Sequence, residues 1–286
     1  MNNLEQDALF GGVEHAAAKP LGKEARQQRV LITVKAAPNP SAHHGETVCV
    51  AGIRLDDYGT KDWVRLYPIN FRDLDGEHQF RKYSLVTVAC RPAEQDQRRE
   101  SWKPNIATMK VGEVLASGTR KRRDIVEPLA TDTMCGLYNA ARADNKARSL
   151  GLARPAIVTD FEVEPHPGWT SDEQAKIDAY VNQPELFNDK RKTPLEAPKY
   201  RGFYRWKCRE TGCKGHRSMN LDWEFVAHQR TLAREGHSPA ETIGLLKRRW
   251  LEEMCAVDRF TAFYLGNQAK RAHTFSVLGV YWPKLT

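Results

Sequence analysis

Between Arg29 and Ala116 the apolar residues come in short β-branched runs, each broken by Gly, Pro, Asp or Asn. That pattern predicts strands rather than helices. The runs are Arg29–Lys35 (RVLITVK), Thr47–Arg54, Trp63–Ile69, Tyr83–Arg91 and Met109–Ala116. Pro38, Asn39, Pro40 and Ser41 mark a turn after the first. Strands this short and this closely spaced predict a small barrel or a strongly curled sheet.

Beyond Gly118 the periodicity changes. The basic run Arg120–Arg123 closes the β region, and a helix is expected from Asp132 to Leu150, with Leu137, Ala141 and Ala147 inward. Ala156–Glu164 alternates as a strand does. Ser171 is placed to cap a helix over Asp172–Asn182. Gln183–Pro198, with three prolines, reads as a linker. Tyr200–Cys208 is expected as a strand and Leu221–Glu235 as a helix stopped by Gly236. Ser238, Pro239 and Glu241 form a capping box with Pro at N1, opening a helix that runs to Ala256. Strands over Phe260–Leu265 and Thr274–Trp282 follow. The class expected is α+β. Residues 1–28 would be a flexible arm, 29–118 a barrel, 119–198 a connector of helix and strand, and 199–286 a mixed α/β module.

Charge sharpens this outline. The chain of 286 residues has a net charge of +8. Between Lys190 and Arg217 ten basic residues face only Glu196 and Glu210, so this stretch alone accounts for the excess. Tyr200, Phe203, Tyr204 and Trp206 are interleaved with Arg201, Arg205, Lys207 and Arg209. Basic side chains neutralise phosphates and release counterions, and aromatic faces stack on bases. In a strand Tyr204 and Trp206 share one face while Arg205 and Lys207 take the other. The aromatic face then suits a core and the basic face, with Lys214 and Arg217, a polyanion. The plainer reading is a solvated basic face over buried rings. Arg98 and Arg99, on an expected loop over Gln97–Pro104, are further candidates for phosphate or base contact.

The six cysteines are Cys49, Cys90, Cys135, Cys208, Cys213 and Cys255. The first three sit among apolar neighbours and read as reduced core thiols. No export signal opens the chain and no apolar run is long enough to span a bilayer, so a cytoplasmic protein without membrane contact or a disulfide framework is expected. Cys208, Cys213 and His216 differ: two thiols and an imidazole within nine residues form a knuckle-like donor set for a structural Zn2+. His228, on the helix that follows, is the chosen fourth ligand, with Cys255, His237 and Asp222 as alternatives. Asp222 and Glu224 are candidates for a base or an electrostatic stabiliser, against the plainer reading of acids favoured at a helix start. Asp160, Glu162 and Glu164 share a strand face that resembles half of a metal-nuclease site. No Gly-rich phosphate loop, G-x-S-x-G elbow or dinucleotide fingerprint is present.

Five segments together carry a resemblance: Val34–Ile53, Trp63–Arg72, Asp96–Pro104, Cys208–Glu224 and Phe263–Pro283. The set resembles a family of poorly characterised bacterial proteins of phage-defence and DNA-modification neighbourhoods. The resemblance implies phage DNA, often with modified bases, as the partner. In that setting a PUA/OB-like barrel would read an extruded base, and the function expected is a DNA glycosylase acting on modified phage DNA. Asp222 and Glu224 would then activate water or steady the charge of the sugar, and Trp63, Tyr67 and Trp102 would stack on bases. A metal-dependent nuclease and a non-enzymatic nucleic-acid-binding module stay open as alternatives.

Overall fold

A computed structural model describes residues 23–41, 45–56, 61–71, 74, 76–94, 96, 98–144, 146–182, 193–269 and 271–285. Most of the expected arm, and Lys190, Arg191 and Lys192 of the basic stretch, lie outside these residues. Arg26–Gln28, assigned to the arm, already belong to the first strand.

The first half is a closed barrel. Its strands are β1 (Arg26–Lys35), β2 (Asn39–Ser41), β3 (Gly45–Leu55), β4 (Lys61–Ile69), β5 (Ser84–Pro92), β6 (Ser101–Pro104) and β7 (Lys110–Val114). The order runs β1-β3-β4-β6-β5, and β1 pairs again with β5 to close five strands. Strand β6, expected as a loop, pairs with β4 in parallel and with β5 antiparallel and completes the ring. Val30, Ile32, Val50, Val64, Leu66, Val86 and Trp102 fill the interior. Leu31, Val34, Ile53 and Trp63 point the other way and are also buried. This is why RVLITVK reads as a continuous apolar run: both of its faces are covered.

What covers them is the second half. It comprises helices α1 (Arg120–Val126) and α2 (Met134–Ala143), strands β8 (Leu150–Ala153) and β9 (Pro155–Pro165), helix α3 (Ser171–Val181), strands β10 (Tyr200–Cys208) and β11 (His216–Asn220), helices α4 (Trp223–Arg234) and α5 (Pro239–Lys247), and strands β12 (Ala262–Gln268) and β13 (Arg271–Tyr281). The basic run Arg120–Arg123 follows the last strand of the barrel half, as expected, and opens α1. The long helix expected from Asp132 ends at Ala143, and its last residue, Leu150, starts a strand. Thr170, not Ser171, caps α3, in a capping box with Glu173. Ser238 caps α5 as its sequence predicts, and α5 passes into a π-helical turn, Arg248–Glu253.

One sheet holds all the strands of this half, in the order β8-β12-β13-β11-β10-β9. The residues expected as a connector therefore belong to the same sheet as the basic strand β10. Strands β8 and β9 form its two edges, yet only Arg154 separates them. Six flat strands would span roughly 24 Å, whereas two Cα–Cα steps cover at most about 7.6 Å. The sheet must therefore curl until its edges meet at Ala153 and Pro155. Tyr204, Trp206, Phe161 and Phe263 fill the side covered by α2, α4 and the π turn. Leu152, Tyr264, Leu278 and Tyr281 lie on the side packed against the barrel. No described helix is long and apolar enough to cross a membrane.

Candidate metal centre and the basic face beside it

At the corner where the sheet edges meet, four donors converge. They are Cys135 of α2, Cys208 at the end of β10, Cys213 in the following turn and His216 at the start of β11. All four ligand atoms lie within 4.8 Å of one another. His216 Nε2 is 3.1 Å from Cys213 Sγ, 3.4 Å from Cys208 Sγ and 3.6 Å from Cys135 Sγ. Bond lengths of about 2.3 Å to sulfur and about 2.05 Å to nitrogen, at tetrahedral angles, put S and N about 3.6 Å apart. The cluster is compact enough to hold a single metal ion.

The local chain explains the convergence. Gly212 and Gly215 adopt φ of +77° and +103°, left-handed values that a side chain resists, and they fold the knuckle back on itself. Cys135 enters from the first turn of α2, capped by Thr133, which accepts a hydrogen bond from Gly136 N. The Thr133 hydroxyl also donates to Glu210 at 2.7 Å, tying the helix start to the knuckle. Cys208 pairs with Pro155, and Asp132 bridges Ala153, so both sheet edges meet here. Burial lowers the His216 pKa, which keeps the imidazole neutral and able to ligate. Burial alone would raise the Cys213 thiol, but hydrogen bonds from the backbone of Gly215 and Cys208 outweigh it and lower it.

His228, the expected fourth ligand, is not in this cluster. It sits on α4, where its Nδ1 accepts from Trp250 Nε1 at 3.3 Å. Cys135 takes the fourth place. Of the alternatives, Asp222 caps α4, Cys255 donates to the Trp250 carbonyl, and His237 pairs with Glu235. Cys135 lies 73 residues before Cys208. Its one local signal is its place in the first turn of a helix, just behind the Thr133 N-cap.

The expected basic face is divided. Tyr204 and Trp206 are buried in the core, and Arg205 and Lys207 point outward. On the outer side, however, Glu162 and Glu164 of β9 neutralise much of the charge. Arg205 Nε donates to Glu162 at 2.5 Å, Arg217 Nε to the same carboxylate at 2.6 Å, and Arg201 to Glu164 at 3.3 Å. Arg217 also pairs with Glu164 and lies 3.6 Å over the Phe203 ring. Asp160 pairs with Lys247. The face that resembled half a nuclease site is thus committed to cations of its own chain. Lys207, Arg209 and Lys214, around the knuckle, are exposed and form no ion pair among the described residues. Burial, and then the nearby Arg209 guanidinium, lower the pKa of Arg154.

Several of the remaining candidates are buried or held in ion pairs. Asp222 is 1 % exposed; it caps α4 by accepting from Glu224 N and pairs with Lys82 Nζ at 2.5 Å. Lys82 also reaches Glu224 at 3.1 Å. Burial alone would depress Lys82, but the charges of Asp222 and then Glu224 hold it above the ordinary lysine range. The neighbouring Lys35 is pulled down to about 8 by burial and rests 3.5 Å over the Phe71 ring. Neither lysine stands out in the sequence; the pair forms only when the barrel docks, with Ala37 N donating to Leu221 O at 2.6 Å. Trp63 and Trp102 are 4 % and 2 % exposed, so neither offers a face to a base. Trp63 instead packs edge-on against Tyr264 between the two halves, and Trp102 lies inside the barrel. Tyr67 is exposed. Arg98 binds Asp96 and the Asn267 carbonyl, stitching barrel to sheet, while Arg99 remains half-exposed beside Asp62.

Two family models match the chain. The domain of unknown function DUF8758 covers residues 26–128 and the domain of unknown function DUF8757 covers residues 130–286. Their boundary falls just after α1, so the first match takes in the barrel strands and α1 and the second takes in α2 and the curled sheet. No curated protein matches the chain.

Proposed function

The chain belongs to the DUF8757 family, whose description carries no activity, and from the geometry we propose a zinc-clasped DNA-binding protein. Cys135, Cys208, Cys213 and His216 hold the ion. Three thiolates and one neutral imidazole are a donor set suited to Zn2+, and four protein ligands leave no open position for a reacting water. The ion is therefore structural.

The observation that carries the DNA reading is the set of exposed cations on the knuckle. Among the described residues Lys207, Arg209 and Lys214 form no ion pair, and the clasp fixes the strand end and turn that bear them. Arg201, Arg205 and Arg217 flank them with charge already shared with Glu162 and Glu164. The barrel then serves as a partner domain for the sheet. Asp222, sealed beneath Lys82, is a cap and not a water activator.

Two measurements test this. Metal analysis of purified protein should give near one zinc per chain, lost in Cys135→Ser and Cys213→Ser and retained in His228→Ala. Fluorescence anisotropy with duplex DNA across a salt series should give a steep log–log slope. Removing Lys207, Arg209 and Lys214 together should flatten it by roughly 0.9 per lost phosphate contact, about 2.7 in all. An unchanged slope overturns the assignment of the surface. Release of free bases in the same incubation, quantified by mass spectrometry, would replace binding with glycosylase chemistry.

A further inference from the structure

A second feature stands apart from the clasp. Between α4 and the π turn lies a cavity of about 690 Å3, lined by Glu224, His228, Leu245, Arg248, Arg249 and Glu253 among others. That volume falls in the range of small-ligand sites. π turns are rare and recur at functional sites, because the extra residue re-aims side chains. Here the turn sets two consecutive arginines into one wall.

We propose that this cavity binds the phosphate group of a nucleotide-sized ligand. Arg248 and Arg249 share one carboxylate: Glu253 takes Arg249 Nη1 at 2.6 Å and Arg248 Nε at 3.5 Å. The three groups sum to one positive charge, and each guanidinium has five N–H donors, most of them left over after these contacts. Arg248 is 67 % exposed and reaches solvent at the mouth. Glu224, the other acid in the lining, is engaged by Lys82 at 3.1 Å. His228 supplies a neutral donor. Its Nδ1 accepts the Trp250 N–H, so its proton resides on Nε2, which has no partner among the described residues. Two forked cations and one imidazole N–H form an acceptor-seeking set, the chemistry that recognises a phosphate.

The inference does not depend on DNA binding by the knuckle. The phosphate could belong to a free mononucleotide or to the end of a polynucleotide, and the arms of the test separate the two. Zinc-loaded full-length protein is titrated by calorimetry with inorganic phosphate, with AMP, and with an oligonucleotide with and without a 5′-phosphate. Phosphate and AMP should both bind. Arg248→Ala and Arg248→Glu should weaken them roughly tenfold or more, the loss expected for a charge-assisted hydrogen bond. His228→Gln should act in the same direction, and nitrogen-resolved NMR of the imidazole should show Nε2 responding to phosphate. AMP binding well above inorganic phosphate identifies a small molecule as the source. Competition by the 5′-phosphorylated oligonucleotide alone identifies a strand end. Substituting Lys207, Arg209 and Lys214 should leave phosphate affinity intact, so that failure at the knuckle and failure here are told apart. No heat with phosphate and AMP, or full affinity in Arg248→Glu, overturns the proposal.

Discussion

Asp222 shows how one side chain is bound by two duties. Asn at this position would still cap α4 but would leave the buried Lys82 ammonium with only the more exposed Glu224. Asp222→Asn should therefore destabilise the protein by about 3 kcal/mol, the lower end for a broken buried pair, measured by urea unfolding at pH 7. Adding Lys82→Met should recover much of that loss, since an apolar replacement removes the orphaned charge as well. Asp96 gives the pH dependence. Burial alone would raise its carboxyl, but hydrogen bonds from Arg98 and Ser101 hold it well below the usual carboxylate range. A depressed folded-state pKa contributes stability above the unfolded value near 3.9 and loses it as pH falls below. Asp96→Asn should cost about 2 kcal/mol at neutral pH and flatten the acid limb of the stability curve, read by thermal melts across pH. Asp96 finds its partners two and five residues away, but 140 residues separate Lys82 from Asp222. Acids at a helix start were legible, but a lysine arriving from another sheet leaves no local trace.

At the scale of the element, the strands were the readable part. Tyr200–Cys208 has the bounds its alternation predicts, and four of the five strands that close the barrel, with β7 beside them, were visible in their β-branched runs. Strand β6 was missed because SWKP carries no alternation; its burial comes from lying between β4 and β5. Strand β11 was missed because HRSMN is polar, held by pairing with Tyr204 and its neighbours rather than by its own propensity. Trp63 and Trp102 were misread for a related reason: a tryptophan in a strand covered on both faces looks, in sequence, like one poised for stacking. Gly52 lies hard against β1. A Cβ there would meet the Leu31 carbonyl of β1 and the Val30 side chain. Backbone cannot give way as a side chain does, so Gly52→Ala should destabilise by at least about 1–3 kcal/mol, the usual cost of overpacking. Its denaturation midpoint, compared with that of Gly76→Ala, where nothing lies within 4 Å, checks this.

For the whole molecule, the metal cluster and the sheet are one problem. Three of the four donors were legible from C-x4-C-x2-H; Cys135 was not, because the curl that brings α2 to the knuckle is a property of the entire sheet. If the ion joins α2 to β10 and β11, stripping it with a chelator should lower the melting temperature of the protein, and zinc, but not magnesium, should restore it. Arg98, Glu100 and Arg65 also bridge the halves, meeting Asn267 and Ser149, so the barrel should unfold together with the sheet rather than as a separate transition in calorimetry.

The placement of β8 and β9 at opposite margins of their sheet bears on how the protein is made. Both emerge from the ribosome early, yet the four strands that must lie between them end only at Tyr281. At ordinary elongation rates that is a wait on the order of ten seconds. During it Leu150–Ala153, buried along its whole length in the finished protein, has no strand to lie against. A nascent chain in this condition is a natural client for a holding chaperone. Stalled-ribosome complexes halted before β12 should crosslink such a chaperone near Leu152, and complexes extended past the last strand should release it.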